Sequence, residues 1–77
     1  MDFKENTDKI FAIHSKTTAV IMSCKNLAHI EGATNYVDNL KRFCKIIKCN
    51  TDLQRNFLKT MVGNAETTLK IKRRSLQ

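Results

Sequence analysis

Residues 35–54 of this 77-residue chain read NYVDNLKRFCKIIKCNTDLQ, and they decide its fold. Apolar side chains recur in the first part at the spacing of an amphipathic α-helix. This pattern predicts a second helix over about residues 35–48, capped at its start by Thr34 or Asn35. The periodicity stops at Cys49, which marks the end of this helix.

The last four letters of the quoted stretch are a helix start signal. Thr51 and Gln54 have the spacing of a capping box, in which each side chain accepts a hydrogen bond from a free backbone amide. A third helix is therefore predicted over about residues 52–72.

Gly63 interrupts the pattern of this third helix. A glycine inside a helix costs about 1 kcal/mol relative to alanine, which a continuous apolar face can offset. We therefore predict that the helix continues through Gly63. The alternative ends the helix at 63–64 and makes residues 68–72 an alternating strand or an extended tail. In both cases the last residues form a frayed, basic tail.

The N-terminal half predicts one further helix, over about residues 8–30. It begins at Thr7 or Asp8 and ends near Gly32, since glycine often closes a helix. Its apolar or small residues recur at intervals of three and four. They are Ile10, Ile13, Thr17, Val20, Cys24 and Leu27.

Three amphipathic helices joined by two short connections predict an all-α fold, a small three-helix bundle in up-down-up order that forms a single domain over residues 1–77. The chain contains no proline and two glycines, which leaves few residues for the turns of an all-β fold. Area scaling predicts a folded surface of roughly 5,000 Å² and a marginal core. Chains of this size often gain stability by self-association, so a helical homodimer is expected.

Charge is distributed unevenly along the chain. Residues 1–40 contain four lysines and five acids, a net charge of −1, whereas residues 41–77 contain ten lysines or arginines and two acids, a net charge of +8. Such a surface attracts phosphates, an acidic protein face or anionic lipid, or it only keeps a small protein in solution.

The basic flank of helices 2 and 3, with the apolar edge beside it, is the predicted binding surface. We expect a non-enzymatic regulatory protein that acts on a larger partner with an acidic or apolar groove, as viral or phage accessory and inhibitor proteins do. The alternative is charge-driven, sequence-nonspecific binding of RNA or DNA. The residues predicted to bind a partner are Lys41, Arg42, Lys45, Ile46, Lys48, Arg55, Lys59, Lys70, Arg73 and Arg74.

One segment resembles a known RNA-binding family. Residues 36–45, YVDNLKRFCK, are similar to the second helix of the dsRNA-binding domain of the influenza non-structural protein, an all-helical dimer of similar length. The resemblance implies RNA binding through the basic positions. It covers ten residues, and Asn39 stands where the family has a basic residue. Helix 1 does not align without a long insertion, so no family membership follows.

Cofactor chemistry has little support in the sequence. Cys24, His29, Cys44 and Cys49 are four potential zinc ligands, but five residues along a helix rotate by about 140°, so neither pair shares a face. We therefore expect no metal and no cofactor. The longest aliphatic run is four residues, which predicts no membrane span, and an odd number of cysteines favours the reducing cytoplasm.

Overall fold

The computed structural model describes residues 2–77. The elements are a short 3-10 turn at Lys4–Asn6, α1 at Thr7–Met22, α2 at Leu27–Ile46 and α3 at Asp52–Ser75. Each helix packs against both of the others. The predicted all-α three-helix bundle is confirmed.

The break between the first two helices differs from the prediction. The chain turns at residues 23–26, because the Asn26 side chain accepts a hydrogen bond of 3.0 Å from the His29 amide and caps α2. Gly32 lies inside α2 with an ordinary negative φ. The predicted helix end at Gly32 and the predicted cap at Thr34 or Asn35 are therefore wrong.

The start of α3 agrees with the prediction. The Thr51 hydroxyl accepts a hydrogen bond of 3.1 Å from the Gln54 amide. The Gln54 side chain accepts from the Asn50 amide at 2.8 Å, one residue earlier than in an ideal capping box. Both side chains thus satisfy backbone donors where the chain enters α3.

Helix α3 passes through Gly63 and ends at Ser75. The predicted continuation through this glycine is confirmed, and the strand alternative is wrong. The basic residues near the C-terminus therefore belong to the last turns of a helix and not to a frayed tail.

The core consists of two clusters that follow the bundle axis. The larger one joins the end of α1 to α2 and to the second half of α3, and it includes the fully buried Ile21 and Leu40. The smaller one packs Ile10 of α1 against Ile47, Leu58 and Met61. Cys44 contacts both clusters, so it ties them together at the end of α2.

The N-terminal segment fixes the connection between α2 and α3. The Phe3 amide donates to the Lys48 carbonyl at 3.1 Å, and the Phe3 ring meets the Phe57 ring edge-on at 5.9 Å. These contacts hold the α2–α3 connection at one end of the bundle, a particle of 41 × 17 × 15 Å. Among residues 2–77, none of the helices combines the length and hydropathy needed to cross a bilayer.

Candidate functional site

A groove with a volume of about 670 Å³ runs between the C-terminal half of α2 and the first half of α3. Its floor is apolar and its walls are charged. The floor consists of Cys44, Ile47, Cys49, Leu58, Val62 and Gly63. The walls carry Lys41, Lys45, Lys48, Arg55, Lys59 and Glu66.

Helical geometry explains why cations line both walls. Lys41 and Lys45 lie about 60° and 100° around α2 from Cys44, on the same side. On α3, Lys59 lies about 100° around from Leu58 on the side that faces α2. Because α1 packs on the other side of both helices, these cations border the open groove.

Ion pairs neutralise part of this charge. Lys41 Nζ lies 3.5 Å from Glu66 Oε1, across the groove from α2 to α3. Arg55 pairs with Asp52 at 3.1 Å within the first turn of α3. Both pairs are well exposed, so each contributes at most about 1 kcal/mol to stability.

Three lysines of the groove keep their charge free. Among residues 2–77, no acid pairs with Lys45, Lys48 or Lys59. All three side chains are exposed. The groove therefore presents an apolar surface between unneutralised cations, which suits a ligand with one apolar and one acidic face.

The thiol of Cys44 lies at the base of the groove. Burial raises the pKa of Cys44, and the nearby Cys49 thiol raises it further. The thiol therefore stays protonated at neutral pH and acts as a small apolar group in the floor.

Five of the ten predicted binding residues meet in this groove. They are Lys41, Lys45, Lys48, Arg55 and Lys59. Lys70 and Arg73 lie on the same face of α3, beyond the groove. Viewed along the helix axis, Lys70 is about 60° from Arg55 and Arg73 is directly in line with it. Lys70 lies inside the helix as predicted, whereas Arg73 was expected in the frayed tail beyond residue 72 and is instead held on the helix.

The other three predicted residues lie elsewhere. Arg42 and Ile46 are each two residues from Cys44, so they point about 160° away from the groove floor. The Arg42 guanidinium donates to the Asn39 side chain on that outer face. Arg74 lies about three turns of α3 beyond Gly63, past the end of the groove.

Comparisons with protein-family models, with characterised proteins and with solved structures found no match. The residues 36–45 that resemble the influenza domain lie within α2, and no family match extends this similarity.

Sequence reasoning missed the floor of the groove and its acid. A helical wheel places Glu66 on the polar face of α3, but its ion pair with Lys41 depends on the packing of α2 against α3. Gly63 was considered only as a possible break. An added Cβ at Gly63 has no atom within 4 Å, so this residue widens the groove.

The four potential zinc ligands do not converge. Within the described part of the chain, no group of three or more His, Cys, Asp or Glu side chains is placed to hold a metal ion. Cys24 donates to the Val20 carbonyl at 3.3 Å, and His29 Nδ1 accepts from the Lys25 amide at 3.2 Å. Both side chains thus shape the turn between α1 and α2.

Proposed function

We propose that this protein is a non-enzymatic regulatory protein that binds an acidic amphipathic helix of a larger partner protein. The binding site is the groove between α2 and α3. The observation that supports this function is the apolar floor bordered by free lysines on both walls.

The position of the groove favours a helical ligand. Helices α2 and α3 are antiparallel, since Lys41 meets Glu66 while the later Ile47 packs in one cluster with the earlier Leu58. Helix α1 packs against both and covers one side of this pair. The groove lies on the opposite side, where a four-helix bundle has its fourth helix. A partner helix seated there would present residues at intervals of three and four to the floor.

The charges specify the polar face of this ligand. Glutamates or aspartates along the two edges of the partner helix would reach Lys45 and Lys48 on one wall and Lys59 on the other. Exposed pairs of this kind mainly increase the association rate and the specificity, whereas apolar contacts with Leu58 and Val62 hold the complex together.

Binding of RNA or DNA is the second candidate. The cations of α3 extend beyond the groove through Lys70 and Arg73, which favours a long polyanion. A phosphate backbone, however, makes no use of the apolar floor. We therefore rank this function below the binding of an acidic helix.

The cysteines support a proposal about the compartment. All three cysteines, Cys24, Cys44 and Cys49, are free. We propose that the protein acts in the cytoplasm, where thiols stay reduced.

A synthetic amphipathic peptide tests the function directly. The probe is a fluorescent helix with leucines on one face and glutamates on the other, and binding is measured by fluorescence anisotropy. Lys45→Glu and Lys59→Glu are each expected to weaken binding by about tenfold or more, because like charges then face each other. Arg42→Glu is the matched control and should change the affinity by less than about twofold, because Arg42 points away from the groove.

A second variant separates the contribution of the apolar floor to peptide binding from that of the charged walls. Gly63→Leu fills the groove where open space surrounds the glycine, so it should block the peptide while the net charge stays constant. RNA and DNA duplexes are tested in parallel over a salt series. If a duplex binds with a steep salt dependence that Gly63→Leu leaves unchanged, and the peptide does not bind, the second candidate is correct. If no probe binds at low salt, both functions are wrong.

A further inference from the structure

A second surface, between α1 and α3, is apolar at both ends and carries no charge along its centre. Five exposed large apolar residues lie on it: Phe11, Met22, Leu53, Phe57 and Ile71. The rings of Phe11 and Phe57 meet edge-on with centroids 5.6 Å apart, which joins the two helices into one surface.

These residues form straight rows along the two helices. Met22 follows Phe11 by eleven residues, so the two side chains point within about 20° of each other. Ile71 follows Leu53 by eighteen residues, which is five full turns and about 27 Å. We call the surface between these rows the α1–α3 face.

Uncharged residues fill the space between the apolar ends. Thr18 of α1 and Thr60 and Asn64 of α3 lie within about 20° of the same rows. All charged residues of the two segments point at least about 100° away from the rows. These charged residues are Lys16, Arg55, Lys59, Glu66 and Lys70.

We propose that the α1–α3 face binds a second copy of this chain as an antiparallel, two-fold symmetric dimer. Leu53 of one copy then meets Ile71 of the other, and the symmetry axis crosses α3 at the level of residues 62–64. The contact is isologous, since the same face of both copies takes part.

Charge is the first argument for a second copy. Each chain has a net charge of +7, so two copies repel each other over most of their surfaces. The α1–α3 face is free of charge, which allows two copies to approach there. An anionic membrane or an acidic partner would instead need cations, and the α1–α3 face carries none between its apolar ends.

Exposed apolar area is the second argument. The apolar row on α3 is about 27 Å long. Leu53, Ile71 and Met22 on this face are each more than half exposed. An exposed apolar surface on a domain with a marginal core also gains stability when it is covered.

The rim of the face favours the antiparallel arrangement. Asp8 lies at the start of α1 and Arg74 near the end of α3, each exposed and about 60° from its row. Antiparallel copies bring Asp8 of one chain to the same end as Arg74 of the other. A parallel pair would instead bring each residue near its own counterpart, with like charges together.

The dimer would make the protein bivalent. The groove between α2 and α3 lies outside the α1–α3 face, so both grooves remain open on the outer sides of the pair. Binding of two partner helices, or of two sites on one partner, then raises the apparent affinity without a new contact. The dimer itself does not depend on what the groove binds.

Sedimentation equilibrium of the full chain tests this inference. We expect a mass of twice 8.9 kDa at micromolar concentration. The dimer should persist in about 0.5 M salt, because the interface carries no ion pair at its centre and salt screens the repulsion.

Substitutions at the two ends of the face test its location and orientation. Leu53→Asp should weaken the dimer by at least about tenfold, since it buries an unpaired charge. Leu53 is 80% exposed, so the monomer keeps its fold, which circular dichroism verifies. Ile71→Lys should have a similar effect. The double variant should recover much of the affinity, because the new charges of opposite sign meet in the antiparallel arrangement.

Ile46→Asp is the matched control, because Ile46 is 59% exposed and lies on α2. It should leave the dimer unchanged. A monomer at all concentrations would overturn the proposal, as would a dimer that Leu53→Asp and Ile71→Lys leave intact. A double variant no better than the single ones would overturn the antiparallel orientation.

Discussion

Lys41 Nζ lies 3.5 Å from Glu66 Oε1, and this ion pair links α2 to α3 across the mouth of the groove. Both side chains are more than 40% exposed. The pair therefore adds little to stability. It does neutralise Lys41, which is one of the cations that the proposed ligand would contact.

Glu66→Gln should for this reason strengthen the binding of the acidic peptide. We expect an affinity gain of about twofold to fivefold, because Lys41 becomes free and a negative charge leaves the groove. The free energy of unfolding should change by less than about 1 kcal/mol. Anisotropy titration and urea denaturation measure the two quantities. Weaker peptide binding by this variant would show that the ligand does not use Lys41.

Gly32→Ala tests the corrected boundary between α1 and α2. Gly32 lies in the interior of α2, and an added Cβ meets no atom within 4 Å. Alanine should therefore stabilise the protein by about 0.5–1 kcal/mol, seen as a rise of about 4–8 °C per kcal/mol in the unfolding midpoint. A lower midpoint would mean that Gly32 closes a helix in the left-handed conformation, as the sequence pattern indicated.

Local sequence signals explain why the start of α3 could be predicted and the break between α1 and α2 could not. Thr51 and Gln54 mark the start of α3 by their own hydrogen bonds, which depend only on neighbouring residues. At the first turn, Cys24 and Leu27 continue the apolar spacing of α1, so the periodicity passes through the break. Asn26 caps α2, but the apolar spacing runs past it, and Gly32 offers a competing helix end.

The groove could be predicted only in part for a related reason. A helical wheel places Lys41 and Lys45 on one flank of α2 and Ile46 on the other, but it cannot tell which flank faces α3. That depends on how α1 and α3 pack around Leu40, which is tertiary information. Wheels drawn for the separate helices therefore identified five residues of the groove and misplaced three others, Arg42, Ile46 and Arg74.

Asn26→Ala should destabilise the protein by about 1 kcal/mol. The substitution removes the acceptor of the His29 amide and leaves the first turn of α2 uncapped. Asn35→Ala is the matched control, because Asn35 is exposed in the interior of α2 and alanine has the higher helix propensity there. Urea denaturation should show a lower midpoint for the first variant and an equal or higher one for the second. Equal midpoints for Asn26→Ala and the unsubstituted chain would contradict the cap.

The pH dependence of the reactivity of the Cys44 thiol provides a final prediction and a probe of the groove. Burial, with a smaller effect from Cys49, raises the pKa of Cys44 above its ordinary value. The folded protein thus holds this thiol proton more tightly than the unfolded chain does. The resulting stabilisation is complete below the unfolded-state pKa and is lost as pH rises through the higher folded-state pKa.

Alkylation by iodoacetamide, read out by peptide mass spectrometry, should therefore label Cys44 slowly at neutral pH and faster as pH rises beyond the ordinary thiol range. Urea-unfolded protein is the control and should react with an ordinary thiol midpoint. The acidic peptide should slow the labelling of Cys44 further, since it covers the groove floor, while the buried Cys24 in the α1–α2 turn should react at an unchanged rate. Equal labelling of Cys44 with and without bound peptide would place the peptide outside the groove.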